Sequence, residues 1–176
     1  MTYASLALVC ALMLPLSAAP QVQAADLSGT AITPLAMQFF CGKIPAECRT
    51  TRNIVAEWTP HLAALLSEVN TRVNRDISPR ADPNGTWEIN PAFGDCNDYA
   101  VTKRSRLIRL GIPPGSLRIA ITATRNGAPH AILIVKTSAG DVVLDNLSSD
   151  TRTLRQSGYS IAMISTANPM RWARLQ

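Results

Sequence analysis

Three residues of this chain have side chains that together could form an activated nucleophile: Cys96, His130 and Asp145. A thiol attacks as its thiolate, so it needs a base to take its proton and an acid to hold that base in place. Cys96 stands at the start of DCNDYAVTKRSRLIRL, a segment with helical spacing. Unpaired backbone N–H groups at a helix start favour a thiolate there. The neighbouring Asp95 and Asp98 push the other way, so the thiolate calls for a positive partner. His130 opens the apolar run HAILIVKT directly after Pro129, where a polar ring is awkward unless it faces a site. Asp145 is a carboxylate inside VVLDN, equally unusual without a partner. The backbone N–H of Cys96 is the first oxyanion donor, and Trp87 and Asn90 in the preceding loop are candidates for a second. The other histidine, His61, falls in a helical first turn and reads as a solvated residue.

The elements that must position these residues follow from periodicity. Thr59-Pro60 is a capping residue followed by proline at the first helical position, and Leu62, Leu66, Val69 and Val73 continue as one apolar face to about Arg75. Residues 78–94 hold three prolines, Asn84-Gly85 and Gly94, which marks a long loop. The Cys96 segment carries Ala100, Leu107 and Leu110 at helical spacing and stops at Gly111 before Pro113-Pro114. Its Lys103, Arg104, Arg106 and Arg109 read as a solvated face. Beyond it, residues 117–124, 130–137 and 142–146 read as three consecutive antiparallel strands, with 159–166 a further strand at an edge. Residues 25–58 show no sustained period and read as an irregular lead. The fold class is α+β, the nucleophile helix packed on an antiparallel sheet.

Strand parity gives a first test of the triad. A hairpin turning about Ala139-Gly140 sets 145 opposite 134, on the same side as His130 but four residues away, about 13 Å at strand rise. Hydrogen bonding between His130 and Asp145 therefore requires a bulge, or a turn centred nearer Thr137-Ser138.

Composition bounds the rest. The chain has 176 residues, 47% hydrophobic and 16% charged, which is one globular domain. Its net charge of +5 is spread out, giving no tract that could follow a nucleic-acid backbone. Residues 4–19 form an apolar core followed by PQVQA, which reads as a secretory signal cut near Ala24, so residues 25–176 are the mature domain, periplasmic or secreted. Cleavage removes Cys10 and leaves Cys41, Cys48 and Cys96. Cys41 and Cys48 enclose only GKIPAE and are the natural disulfide, with Cys96 the odd thiol. No Gly-rich phosphate loop and no Cys/His metal spacing points to an organic cofactor or a transition metal.

The segment FGDCNDYAVTKRSRLIRLGIPP resembles the bacterial transglutaminase-like cysteine proteinases, whose members carry G-D-C-E-D-Y-A followed by K-x-x-x-L-x-x-L-G-[IV]-P. Trp87 to Pro91 is similar to that family's W-x-x-P, Pro129 to Leu133 to its H-x-[VI]-L, and Val143 to Asn146 to its V-L-D-N. FFC with P-x-x-C, and V-N-x-x-V-N at Val69 to Asn74, are further matches, and the likeness covers about residues 37–175. The resemblance implies a papain-like core and a Cys-His-Asp triad at Cys96, His130 and Asp145. It also implies a protein substrate, a large surface adhesin in periplasmic members, and control by an inner-membrane receptor responding to cyclic-di-GMP. Calcium, bound through acidic residues flanking the nucleophile, is implied at Asp95, Asn97 and Asp98. Asn97 stands where the family usually has Glu, and an amide takes one charge from a hard-cation site.

The reading is an exported thiol peptidase. The same triad could serve amide exchange, as in a transglutaminase or amidase, and the same fold could persist as a non-catalytic periplasmic binding domain.

Overall fold

The computed structural model describes residues 27–175. The leader over 1–24 and Cys10 lie outside the described residues. Chain order is β1 (Leu27–Ala31), α1 (Leu35–Lys43), a 3-10 turn (Pro45–Cys48), α2 (Pro60–Asp76), β2 (Ser78–Pro79), β3 (Phe93–Gly94) and α3 (Cys96–Arg109). A second 3-10 turn (Pro114–Ser116) leads into β4 (Leu117–Ala123), β5 (Pro129–Thr137), β6 (Gly140–Asp145), β7 (Ser148–Thr153), α4 (Leu154–Ser157), β8 (Met163–Ser165) and β9 (Trp172–Leu175).

Seven strands form one antiparallel sheet in the order β1-β9-β8-β4-β5-β6-β7. Alternation along the central strands sorts side chains into two layers. Leu117, Ile119, Leu133, Val135 and Leu144 join the large core with Met37 and Phe40 of α1, Leu66 and Val73 of α2, and Val101 and Leu107 of α3. Ala120, Ile132, Ile134 and Val143 form a smaller cluster with Ile161 and Ile164, covered by Leu154, Tyr159 and Leu175. The α+β expectation holds, and both long helices fall where their caps put them. Thr59 accepts the Leu62 N–H at the start of α2, and Gly111, with φ +87°, follows the end of α3 in the left-handed region that favours glycine.

Four expectations need correction. The lead is not irregular: it contains β1, α1 and the 3-10 turn. β1 is a strand because it pairs with β9 at the far end of the chain, a partner no local pattern reveals. α1 is apolar on exposed and buried sides alike, with Leu35 and Phe39 in solvent and Met37 and Phe40 in the core, so it has no amphipathic period. Within 159–166 only Met163–Ser165 is strand, and it lies inside the sheet between β9 and β4. The edge on the other side is β7, whose sequence SSDTRT is polar because it is exposed.

Half of the basic cluster on α3 is the fourth correction: Arg109 is exposed and Arg106 partly so, as expected, but Lys103 and Arg104 are buried. Lys103 is 1% exposed and Arg104 3%, because α3 is covered by the sheet on one side and by the N-terminal segment on another. Arg104 Nη1 donates to the Glu47 carbonyl at 2.7 Å and pairs with Glu47 Oε2 at 3.3 Å. Ser105 Oγ donates to the other carboxylate oxygen. The disulfide Cys41–Cys48 joins α1 to that 3-10 turn, as the spacing predicts. Removing one partner of a buried pair strands the other charge. Arg104→Ala is therefore expected to lower unfolding free energy by about 3 kcal/mol in urea titrations, and a loss below about 0.5 kcal/mol would mean that this pair does not anchor the N-terminal segment.

Candidate active site

Cys96 is the first residue of α3, and the turn before it is built by two aspartates. Asp95 is the N-cap and its Oδ1 accepts the Asn97 N–H at 2.9 Å, while Asp98 Oδ2 accepts the Asp95 N–H at 2.9 Å. This capping box does not use the Cys96 N–H, which stays at the helix end where an oxyanion would need it. Asp98 Oδ1 accepts the Glu88 N–H at 2.7 Å, so one carboxylate ties the long loop to the nucleophile helix. Gly94 is required there, because a Cβ on it would come within 2.5 Å of Asp98 Oδ2. Burial pushes the Asp98 carboxyl up to about 6, against the two backbone N–H bonds that favour its ionised form.

His130 and Asp145 meet. His130 Nε2 lies 2.8 Å from Asp145 Oδ1, with both residues buried. The register makes this contact. Thr137 pairs with Gly140 and Leu133 with Leu144, so the turn residues are Ser138-Ala139, one position earlier than the Ala139-Gly140 turn expected from sequence. Gly140, with φ +108°, follows the turn and is not one of its two central residues. Carried onward, this register sets 145 opposite 132, two residues from His130 rather than four, within reach of an imidazole. Pairing with β7 is also irregular between Val143 and Asp145.

Further bonds hold Asp145. Its Oδ1 accepts the Leu147 N–H at 3.0 Å and its Oδ2 accepts the Tyr159 hydroxyl at 2.6 Å. From α2, Asn74 Nδ2 donates to the Asp145 carbonyl at 2.8 Å and to that of Ser148 at 3.1 Å, and Asn70 Nδ2 donates to the carbonyls of Ser148 and Ser149. The V-N-x-x-V-N run thus places two amides, one helical turn apart, on the β6–β7 turn. Lys103 faces the same carboxylate from α3. Burial lowers its ammonium to about 7, opposed by the charge of Asp145.

Cys96 is half-buried and the free cysteine of the described residues. Burial alone would depress the His130 imidazole, but its hydrogen bond to Asp145, and the charge a Cys96 thiolate would place beside it, override this and push it up to about 9. With Nε2 engaged by Asp145, Nδ1 is the nitrogen left for the sulfur. An imidazole already held by a carboxylate is the base that proton transfer from a nearby thiol requires. An open groove of about 1050 Å³ runs past Asp145, lined also by Arg125, Arg152 and Tyr159. An apolar hollow of about 660 Å³, lined by Leu35, Trp87, Ile121 and Met163, reaches Asn97 beside the nucleophile.

The side-chain oxyanion candidates are not brought to the sulfur in the same way. Asn90 Oδ1 accepts Arg106 Nη2 at 2.8 Å and Nε at 3.1 Å. Arg106 is ten residues along α3 from Cys96, about 15 Å at helical rise, so Asn90 is used to fasten the loop, itself at φ +53°. Trp87 is packed on Phe40 with ring centroids 6.5 Å apart and lines the apolar hollow.

Asp95, Asn97 and Asp98 do not form a calcium cage as they stand. Both Asp98 oxygens accept backbone N–H groups and the residue is 3% exposed, while Asp95 Oδ2 is bonded by Asn97 Nδ2 at 3.2 Å. Among the described residues there is no group of three or more His, Cys, Asp or Glu side chains placed to hold a metal ion.

A nucleophile helix set against an antiparallel sheet that carries the imidazole and the carboxylate is the arrangement of transglutaminase-like thiol enzymes. Residues 27–176 match the bacterial transglutaminase-like cysteine proteinase family, and the chain belongs to it. Among solved structures it is similar to LapG of Legionella pneumophila, with TM-score 0.53 at 23% identity, covering 60% of this chain and 64% of that one. The chain thus spans less than two thirds of that LapG structure. Calcium-bound LapG of the same organism matches with TM-score 0.55 at 20% identity over 80% of this chain and 79% of that one. These likenesses are of fold. No curated protein matches the chain in sequence.

Sequence reasoning missed Tyr159, Lys103 and the roles of Asn70 and Asn74. The asparagines could have been found, since amides four residues apart on the buried side of an amphipathic helix need partners. Tyr159 left only the trace of an aromatic after Gly158, which nothing local connects to Asp145.

The imidazole gives a direct check. Asp145→Asn removes the carboxylate and keeps the burial, so His130 is expected to titrate about two units lower by NMR; an unchanged titration would remove Asp145 as the cause. Because the folded value lies above the ordinary one, the stability it contributes is complete below about 6.5 and is lost as pH rises through about 9.

Proposed function

We propose that the protein is an exported cysteine peptidase in which Cys96 is the nucleophile, His130 its base and Asp145 the residue that orients the imidazole. The observation that carries this reading is the buried 2.8 Å bond between His130 and Asp145. The Cys96 proton passes to His130 as the sulfur attacks the scissile carbonyl, and the Cys96 N–H donates a hydrogen bond to the developing oxyanion. His130 returns the proton to the leaving amine, giving an acyl-enzyme. Water then attacks with His130 as base, releasing the acid and restoring the thiol. Membership of a cysteine proteinase family favours water over an amine as the second nucleophile.

The substrate we propose is a polypeptide, and a surface adhesin under control of an inner-membrane receptor is the specific form the family resemblance suggests, in the periplasm where a cleaved leader would deliver the enzyme. Cys96→Ala is expected to lower kcat on a casein-derived peptide mixture by about 10³-fold or more. His130→Ala is expected to slow iodoacetamide alkylation of Cys96 at pH 7 at least tenfold. Full activity in Cys96→Ala would sink the proposal.

Calcium enters this reading as a condition to vary. With the Asp98 carboxylate already engaged by backbone N–H groups, calcium chloride or EGTA is expected to change the alkylation rate by less than about twofold. A tenfold response would assign Asp95 and Asp98 to a cation.

A further inference from the structure

We propose that Tyr159 is a positioning residue for the catalytic pair: its hydroxyl fixes the second oxygen of Asp145, and its ring packs beside His130 at the wall of the groove. This deepens the peptidase reading and rests on it.

A carboxylate turns about its Cα-side bonds over a broad two-fold well, so one hydrogen bond does not fix its plane. Asp145 has an anchor on each oxygen. Oδ1 takes His130 and the Leu147 N–H, and Oδ2 takes the Tyr159 hydroxyl at 2.6 Å, a charge-assisted bond. Loss of the Oδ2 anchor lets the plane swing, and with it the imidazole that must present its other nitrogen to the sulfur. The ring has a second role. It stands 5.8 Å from the His130 ring, tilted by 45°, and lines the groove together with Asp145. Tyr159 thus packs beside the pair at the groove wall, where its ring takes space that water would otherwise fill, and exclusion of water strengthens the bond next to it.

The position of Tyr159 does not depend on its hydroxyl. Gly158, at φ +71°, caps α4 and turns the chain, and the Tyr159 N–H donates to Ser157 Oγ at 3.2 Å. Removing the oxygen therefore leaves the residue in place. Burial, and the bond to Asp145, hold the phenol protonated well above its usual range, so it remains a donor at any working pH. The other charges facing this cluster are Lys103 of α3 toward Asp145, Arg125 of the β4–β5 turn and Arg152 of β7 toward Tyr159, and Cys96 toward His130.

The test compares Tyr159→Phe, Tyr159→Leu and His130→Ala with the parent protein over residues 25–176. Three measurements are made: iodoacetamide alkylation of Cys96 at pH 7, the Asp145 carboxyl titration by carbon NMR, and the urea midpoint. Tyr159→Phe is expected to slow alkylation about fivefold, to move the Asp145 titration upward because one donor to the ionised form is gone, and to keep the parental midpoint. Tyr159→Leu, which also removes the ring packed beside His130, is expected to slow it further. Parental rate and titration in Tyr159→Phe, while His130→Ala is slow, would overturn this inference and leave the triad standing. So would a loss of rate accompanied by a lower midpoint and an unmoved Asp145, which is a merely structural effect. A parental rate in His130→Ala would overturn the triad itself.

Discussion

The register of the β5–β6 hairpin is the constraint on which the site depends. Moving a two-residue turn by one position shifts the partner of every following residue by two, about 6.6 Å along a strand. That step separates a hydrogen bond between His130 and Asp145 from no contact at all. The register is set from outside the hairpin as well as within it. Thr137 Oγ1 donates to the Gly140 carbonyl across the turn. The segment before α2 docks on the same place, with Ala56 N–H on the Lys136 carbonyl, Ser138 N–H on that of Ala56, and Trp58 N–H on Ser138 Oγ. At the other end of β6, the two α2 asparagines hold the backbone from Asp145 to Ser149. α2 carries none of the three reacting groups, yet it and the segment leading into it fix both ends of the strand that delivers the carboxylate.

The same logic explains why α3 holds charged side chains in its buried face. A buried ion is tolerated only where partners offset its desolvation. Arg104 has Glu47, Asp98 has two backbone N–H groups, and Lys103 has the nearby carboxylate of Asp145. Each of these partners belongs to a different segment: the N-terminal 3-10 turn, the long loop, and β6. The helix that carries Cys96 is thereby keyed to three parts of the chain by charge, in addition to its apolar contacts. Apolar packing alone tolerates small shifts along a helix axis, whereas a buried charge displaced from its partner does not.

How much of this the sequence discloses depends on whether the cause is local. α2, α3 and the β4–β6 strands are legible because caps, glycine stops and periodicity act within a few residues. β1 and β7 are not, since one owes its state to β9 and the other is a polar edge. The candidate reacting residues stand out because each is out of place in its own segment: a cysteine at a helix start, a histidine and an aspartate in apolar strands. Their mutual distance is not legible, because one residue of turn placement decides it and Gly140 serves the position after the turn as well as it would serve the turn. Lys103 and Arg104 mislead for the opposite reason. Their spacing is that of an exposed face, but Arg104 is buried against Glu47 of the N-terminal segment and Lys103 toward Asp145 of the sheet.

The loop before Cys96 shows how one arrangement of charge can replace another. A helix start that carries a nucleophile must keep its backbone N–H groups directed at the reaction, which requires the preceding loop to be fixed. A divalent cation can fix a loop by gathering carboxylates, at the cost of bringing like charges together. Here Asp98 fixes it by accepting N–H groups from Glu88 and Asp95, and Asp95 by accepting from Asn97. An amide at Asn97 suits that arrangement, since its Nδ2 donates to Asp95 where a glutamate would repel it. Gly94 belongs to the same arrangement, its missing Cβ making the room that the Asp98 carboxylate occupies. The exchange of one acid for an amide beside Cys96 therefore agrees with the hydrogen-bond geometry around it: the loop is held by backbone N–H groups that donate to the Asp95 and Asp98 carboxylates.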